Sequence, residues 1–195
     1  MRSFALTTIL APLVLALAVA PACGGPQRSD AGEEEEGPMA FTMTSTAFTD
    51  RGTIPALHTC DAEDLSPELS WDQPPVGTRS LALVCDDPDA PMGTWVHWVL
   101  YDIPPETSGL PEGVPATERL SQPGGARQGK NDFGRVGYGG PCPPPGKPHR
   151  YFFRLYALDA LLELEPGATK GQLEKAMEGH VLGAAGLVGT YARGR

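Results

Sequence analysis

The hydrophobic positions of this chain fall into two patterns, and both predict strands. Ser80 to Cys85 (SLALVC) and Trp95 to Ile103 (WVHWVLYDI) are apolar on both faces, as strands buried between neighbours are. His149 to Asp159 (HRYFFRLYALD) is rich in aromatic and branched residues and free of breakers. Alternation sets His149, Tyr151, Phe153 and Leu155 on one face, with Arg150, Phe152, Arg154 and Tyr156 on the other. The same rule puts Trp95, His97, Val99 and Tyr101 on one face of their strand. Phe41 to Phe48 (FTMTSTAF) alternates apolar residues with Thr and Ser and predicts a first, edge-like strand. Glu68 to Trp71 predicts a short strand, and Leu110 to Phe133, broken by Gly and Pro, an irregular surface excursion. A helical period emerges only late. Thr169 with Gln172 forms a capping box, Leu173, Ala176 and Met177 share a helical face, and Gly179 should end the helix. Residues 180–186 are read as a further short turn of helix and Leu187 to Tyr191 as a final strand. The sum is about six to eight strands plus one or two short C-terminal helices: a mainly β, sandwich-like domain.

The N-terminus carries a different pattern. Arg2 precedes a nearly uninterrupted apolar run, Phe4 to Val19, which ends in Ala20-Pro21-Ala22-Cys23. This is the layout of an export signal. Two readings of its end stay open. The A-x-A pattern suits ordinary cleavage after Ala22. Small residues before a cysteine also suit a bacterial lipobox, in which Cys23 is acylated and becomes the mature N-terminus, although Ala20 stands where the usual lipobox has Leu. The lipoprotein reading is preferred, because residues 24–39 (GGPQRSDAGEEEEGPM) have no apolar period and carry a block of like charge, as a solvated tether does. The expected organisation is a signal peptide over 1–22, an acidic, disordered linker over 23–39 and a folded domain over 40–195. Such a chain is exported and held at the membrane of the bacterial envelope through Cys23, or is soluble in the periplasm or outside after simple cleavage.

Composition narrows the partners. A formal net charge of −9 among 195 residues argues against nucleic acid, whose phosphates call for clustered Lys and Arg. The high counts of Gly (24) and Pro (21) favour a loop-rich strand fold over a helix bundle. No motif calls for a cofactor. The cysteines at 23, 60, 85 and 142 include no C-x-x-C pair, so a zinc site is poorly supported. Cys85 lies in the most apolar strand and reads as a small core residue.

Candidate chemistry concentrates at two places. Gly137 to Pro148 (GYGGPCPPPGKP) is a stiff Gly/Pro loop that leads straight into His149 and Tyr151, and its glycines would let a ligand approach the backbone. Asp86-Asp87-Pro88-Asp89-Ala90-Pro91 follows the buried strand SLALVC, and Pro88 forces Asp87 into an extended geometry. His97 lies on the next strand, on a face that should otherwise be core. A single histidine in such a place is most often a satisfied, partly buried residue. Spacing alone does not show whether the two histidines converge.

These motifs resemble a family. DDPDAP, WVHW and GYGGPCPPPGKPHRYFFRLYALD, with TCDAEDLSPELSW, NDFGRVGYGG and the closing LVGTYAR, are similar to the phosphatidylethanolamine-binding protein family, in its bacterial and archaeal Raf-kinase-inhibitor-like branch. The resemblance covers roughly Ala40 to Arg193. It implies a β-sandwich with a small anion-binding pocket at one end, floored by Asp87, His97 with its neighbour Trp95, His149 and Tyr151. It makes Gly140, Pro143 and Pro144 part of the wall, and Asp89 and Pro91 structural partners. Backbone N–H groups of the glycine loop would join the histidines and the Tyr151 hydroxyl as donors to a phosphate, a carboxylate or a phospholipid headgroup. Asp87 would repel an anion unless it is spent on orienting a histidine, which is the expected role. Such a pocket should bind anions more tightly as pH falls through the histidine range. Related sequences often carry both loop cysteines, and the resemblance together with export implies a Cys60–Cys142 disulfide. Eukaryotic members close the pocket with a further C-terminal helix, and no counterpart of it is expected in this chain.

The expected function is therefore that of an exported ligand-binding or regulatory module, with a kinase or a protease as conceivable protein partner. A structural envelope lipoprotein with a vestigial pocket is the main alternative. A hydrolase built on the Asp/His/Tyr cluster ranks lower, since G-x-S-x-G is absent. A metal site on Asp87, His97 and His149 ranks as low.

Overall fold

The computed structural model describes residues 39–194. The predicted signal peptide, Cys23 and all of the predicted linker except Met39 lie outside them. Among the described residues the strands are β1 (Met39–Ala40), β2 (Met43–Thr44), β3 (Leu69–Trp71), β4 (Ser80–Asp87), β5 (Trp95–Ile103), β6 (Gly109–Leu110), β7 (Arg127–Gln128), β8 (His149–Leu158) and β9 (Val181–Tyr191). A 3-10 turn covers Ala56–His58, and one α-helix, α1, spans Lys170–Met177. The strands form a large sheet, in the order β1-β9-β8-β4-β5-β7, and a small one, β2-β3-β6. The protein is mainly β, as its alternation predicts.

Strand β4 is central because both its faces are apolar, and it pairs antiparallel with β5 on one side and β8 on the other. The main core lies between the two sheets. Met43, Leu69, Trp71 and Leu110 of the small sheet pack on Leu81, Leu83, Trp98, Leu100, Phe153 and Leu155 of the large one. Each of the larger side chains, once buried, contributes about 1.5–3 kcal/mol. The opposite face of the large sheet presents Ala82, Val84, Val96, Val99 and Tyr101 to Leu173 and Met177 of α1. That helix starts where the capping box places it: Thr169 Oγ1 accepts from Gln172 N–H while the Gln172 side chain accepts from Thr169 N–H.

Three expectations are corrected. The predicted strand Phe41–Phe48 is split, because β1 joins the large sheet beside β9 and β2 joins the small sheet beside β3. The chain crosses between sheets where the alternation reads as continuous. Residues 180–186 are not helical. They open β9, which pairs with β8 from Leu158↔Val181 to His149↔Tyr191. The Gly- and Ala-rich sequence VLGAAGLVGTY has weak strand propensity of its own, and the long ladder with β8 overrides it. Third, Trp95, His97, Val99 and Tyr101 do not share a face. Cys85 pairs with Trp98 but Asp86 pairs with Val96, so β5 carries a bulge at His97 that resets the alternation. Val99 and Tyr101 turn toward α1, whereas His97 stays with Trp98 on the side of the main core.

Candidate functional site

The bulge at His97 lies at one end of the large sheet, where β4 ends at Asp87, β5 begins at Trp95 and β8 begins at His149. These three strand ends and two loops enclose a cleft of about 230 Å³. Asp87, His97 and His149 supply its polar groups. Trp95, Phe133, Pro143 and Pro144 form apolar walls with Ala90, Pro91 and Met92, and Cys142 completes the lining. Strands hold the polar groups, which limits their motion, while loops supply the walls.

Asp87 is 3% exposed and both its oxygens are engaged. Oδ2 accepts from His149 Nδ1 at 2.8 Å and Oδ1 accepts from the Asp89 N–H at 2.8 Å. The carboxylate therefore pins the tautomer of His149 and leaves Nε2 for the cleft. The second histidine is held in the same way. His97 Nδ1 donates to the carbonyl oxygen of Gly139 at 2.5 Å. Burial pushes its pKa below the ordinary imidazole range, and the Gly139 carbonyl and Asp87 only partly offset this. Asp89 turns outward. The Arg150 side chain binds its carboxylate in a two-pronged contact, at 2.8 Å from Nε and 2.7 Å from Nη2, and this lowers the Asp89 pKa to about 2.

Of the residues predicted for the pocket, Asp87, Trp95, His97, Pro143, Pro144 and His149 converge on the cleft, and Pro91, expected as structural, lines it too. Gly140 and Tyr151 are not on its wall. A Cβ on Gly140 would lie 2.3 Å from the His58 carbonyl oxygen, so glycine is needed there for packing against the His58–Thr59 backbone. Its N–H donates to Asp64 Oδ1 at 2.6 Å, and the Gly139 N–H donates to the His97 carbonyl at 2.9 Å. The amides of Gly139 and Gly140 are thus spent within the fold. Tyr151 is fully buried behind His97, ring to ring at 5.1 Å and nearly perpendicular, and its hydroxyl has no hydrogen-bond partner among the described residues. Burial, with Asp87 nearby, raises its pKa out of any physiological range.

Phe133 and Met92 were not singled out by the sequence. Phe133 meets Trp95 and His97 edge to face, each at 5.4 Å between ring centres. It is delivered by a tight loop in which Asn131 Nδ2 donates to the Gly137 carbonyl and Asn131 Oδ1 accepts from the Arg135 N–H. Nothing local in NDFGRV says that its aromatic ring reaches a strand end forty residues away in the fold's geometry. The disulfide between Cys60 and Cys142 is present, with Cα atoms 5.4 Å apart, and it ties the proline wall to the 3-10 turn region. Cys85 is buried with a free thiol, and burial raises its pKa strongly. Neither Ser nor Thr lines the cleft, and its one cysteine, Cys142, is in the disulfide.

Comparison with solved structures gives the class first. The fold matches that of YbcL from Escherichia coli, described as a member of the mammalian PEBP family, with a TM-score of 0.74 and 32% identity over 78% of this chain and 98% of that one. It also matches CT736 of Chlamydia trachomatis, described as a phosphatidylethanolamine-binding protein homologue, with a TM-score of 0.71 and 41% identity over 79% and 98% of the two chains. At the level of sequence, the profile of the phosphatidylethanolamine-binding protein family matches residues 44–192. A UPF0098 protein of Methanothermobacter thermautotrophicus is 61% identical over 79% of this chain and all of its own length, and one of Aquifex aeolicus is 49% identical over 80% and 91%. The chain belongs to the phosphatidylethanolamine-binding protein family, in its bacterial and archaeal branch.

Proposed function

We propose that the cleft binds a small oxyanion, phosphate-like or carboxylate, and takes up a proton as it does so. One observation carries this reading. Both histidines use Nδ1 as donor to a fixed acceptor, Asp87 Oδ2 for His149 and the Gly139 carbonyl for His97. Each therefore turns Nε2 to the cleft, and a ring protonated at Nδ1 alone offers a lone pair there rather than an N–H. An anion needs donors, so it is held once Nε2 gains a proton as well. The apolar walls lower the local dielectric and strengthen that charge-assisted contact. Because burial depresses the His97 pKa, its second proton arrives below the ordinary imidazole range unless an anion draws it in. The charged groups around the two rings are Asp87 beneath, Asp89 with Arg150 on the flank and Asp64 with Arg135 behind the glycine loop.

On this reading the chain is an exported binding module of the bacterial envelope, tethered through Cys23 or released by cleavage after Ala22. Its ligand is a small anion or the anionic headgroup of a phospholipid, and any kinase or protease that it modulates is exposed in the same compartment. The test uses sulfate, whose charge is constant between pH 5 and 8. Titration calorimetry should show affinity rising as pH falls, by up to about tenfold per pH unit for each proton taken up. His149→Gln should flatten that profile. Affinity that is the same at pH 5 and pH 8, or that survives His149→Gln with its pH dependence intact, overturns the proposal.

A further inference from the structure

The walls say more about the ligand than the floor does. Above the Asp87–His149 pair and His97, the cleft is lined almost wholly by apolar groups, and two of these reach solvent at its mouth: Met92 is 91% exposed and Phe133 37%. An oxyanion that sat on the histidines without a substituent would leave Trp95, Phe133, Met92 and the two prolines facing water. Exposed large apolar side chains gathered around a concave polar site are characteristic of recognition. We infer, on the premise of the oxyanion reading, that the ligand carries a flat apolar group, such as an aromatic ring, attached within a bond or two of its acidic group, and that Phe133 and Met92 select for it.

The dimensions set this class. An apolar cavity of roughly 150 Å³ accommodates benzene. The cleft of about 230 Å³ therefore has room for one ring beside one small acidic group. In a diacyl phospholipid the phosphate is attached to polar glycerol, and its apolar chains begin several bonds away. The same apolar walls would face that glycerol, which makes a lipid the poorer match. The rigid edge-to-face cluster of Trp95, Phe133 and His97 suits a ring, which can add a third aromatic contact at little conformational cost.

The experiment compares five probes by calorimetry at pH 6: methanesulfonate, benzenesulfonate, inorganic phosphate, phenyl phosphate and dihexanoyl phosphatidate below its critical micelle concentration. Benzenesulfonate should bind at least about tenfold more tightly than methanesulfonate. Phenyl phosphate should keep that advantage over inorganic phosphate, because the ring and not the acid type is read. Phe133→Ala should remove most of the difference between benzenesulfonate and methanesulfonate. Met92→Ser, at a side chain almost wholly in solvent, should remove part of it without disturbing the fold. Equal affinity for methanesulfonate and benzenesulfonate overturns this inference and leaves the oxyanion reading standing. Phosphatidate binding more tightly than the aryl anions overturns it in favour of a lipid. Binding of none of the probes overturns both.

Discussion

Asp86 and Asp87 are neighbours on one strand, equally buried at 2% and 3%, yet they face opposite sides of the large sheet and do opposite things. Asp86 faces the helix. It accepts from Arg154 Nη1 at 2.6 Å and from Lys170 Nζ at 2.5 Å, and Lys170 is the first residue of α1. Its charge is matched by two cations that do not titrate near neutrality, and the ion cluster fastens the helix to the sheet. Asp87 faces the cleft. Its side-chain partner is the imidazole of His149, held through Nδ1. A buried carboxylate closed by permanent cations is a fastening. One closed by an imidazole whose other nitrogen is left to a cleft is a candidate site.

The comparison breaks or sharpens by mutation. Asp86→Ala leaves Arg154 and Lys170 without their buried anion and should destabilise by about 3 kcal/mol, with Tm falling by roughly 6–12 °C. Sulfate affinity, measured well below that Tm, should stay within twofold. Loss of binding in the folded variant would mean that the two faces are not independent. Asp87→Asn should have the reverse profile. Its effect on Tm should be about a third as large, since an amide still fills the space and can hydrogen-bond. The tautomer of His149 is no longer pinned, so the midpoint of the sulfate pH profile should move to lower pH. A Tm loss equal to that of Asp86→Ala would make Asp87 a fastening too. The smallest effect is expected at Arg150→Ala, where the ion pair is largely in solvent. Asp89 should then titrate near the ordinary aspartate value of about 3.9 instead of about 2, which NMR would follow directly. The sign is that of a depressed acid: the pair contributes stability above the ordinary carboxylate range and loses it as pH falls toward about 2. Its contribution at neutral pH is small because solvent screens it.

Much of this was legible in the chain. Runs such as SLALVC and WVHWVLYDI, the alternation of HRYFFRLYALD and the Thr169–Gln172 box are local signals, and the elements they predict are present. Eight pocket residues were named from motifs, and six of them line the cleft, all but Gly140 and Tyr151. The misses share a cause. Tyr151 alternates correctly onto the face of His149, but how deep a side chain sits depends on what covers it, here the ring of His97. Gly140 was read as open to a ligand, whereas it is closed by His58 and Asp64, about eighty residues upstream.

By itself the sequence determined the strand class, the central place of β4, the late helix and the residues from which the polar floor is built. These follow from the chemistry of neighbours along the chain, since alternation, breakers and caps act within a few residues. Only the tertiary structure decided which carboxylate of the Asp86-Asp87 pair serves the cleft, because a sheet has two faces and what covers each comes from elsewhere. It also decided the bulge that turns His97 away from Val99, the strand at 181–186 and the placing of Phe133 against Trp95. Each of these depends on register between segments far apart in sequence, and register is set by the packing of whole strands rather than by any residue's own preference.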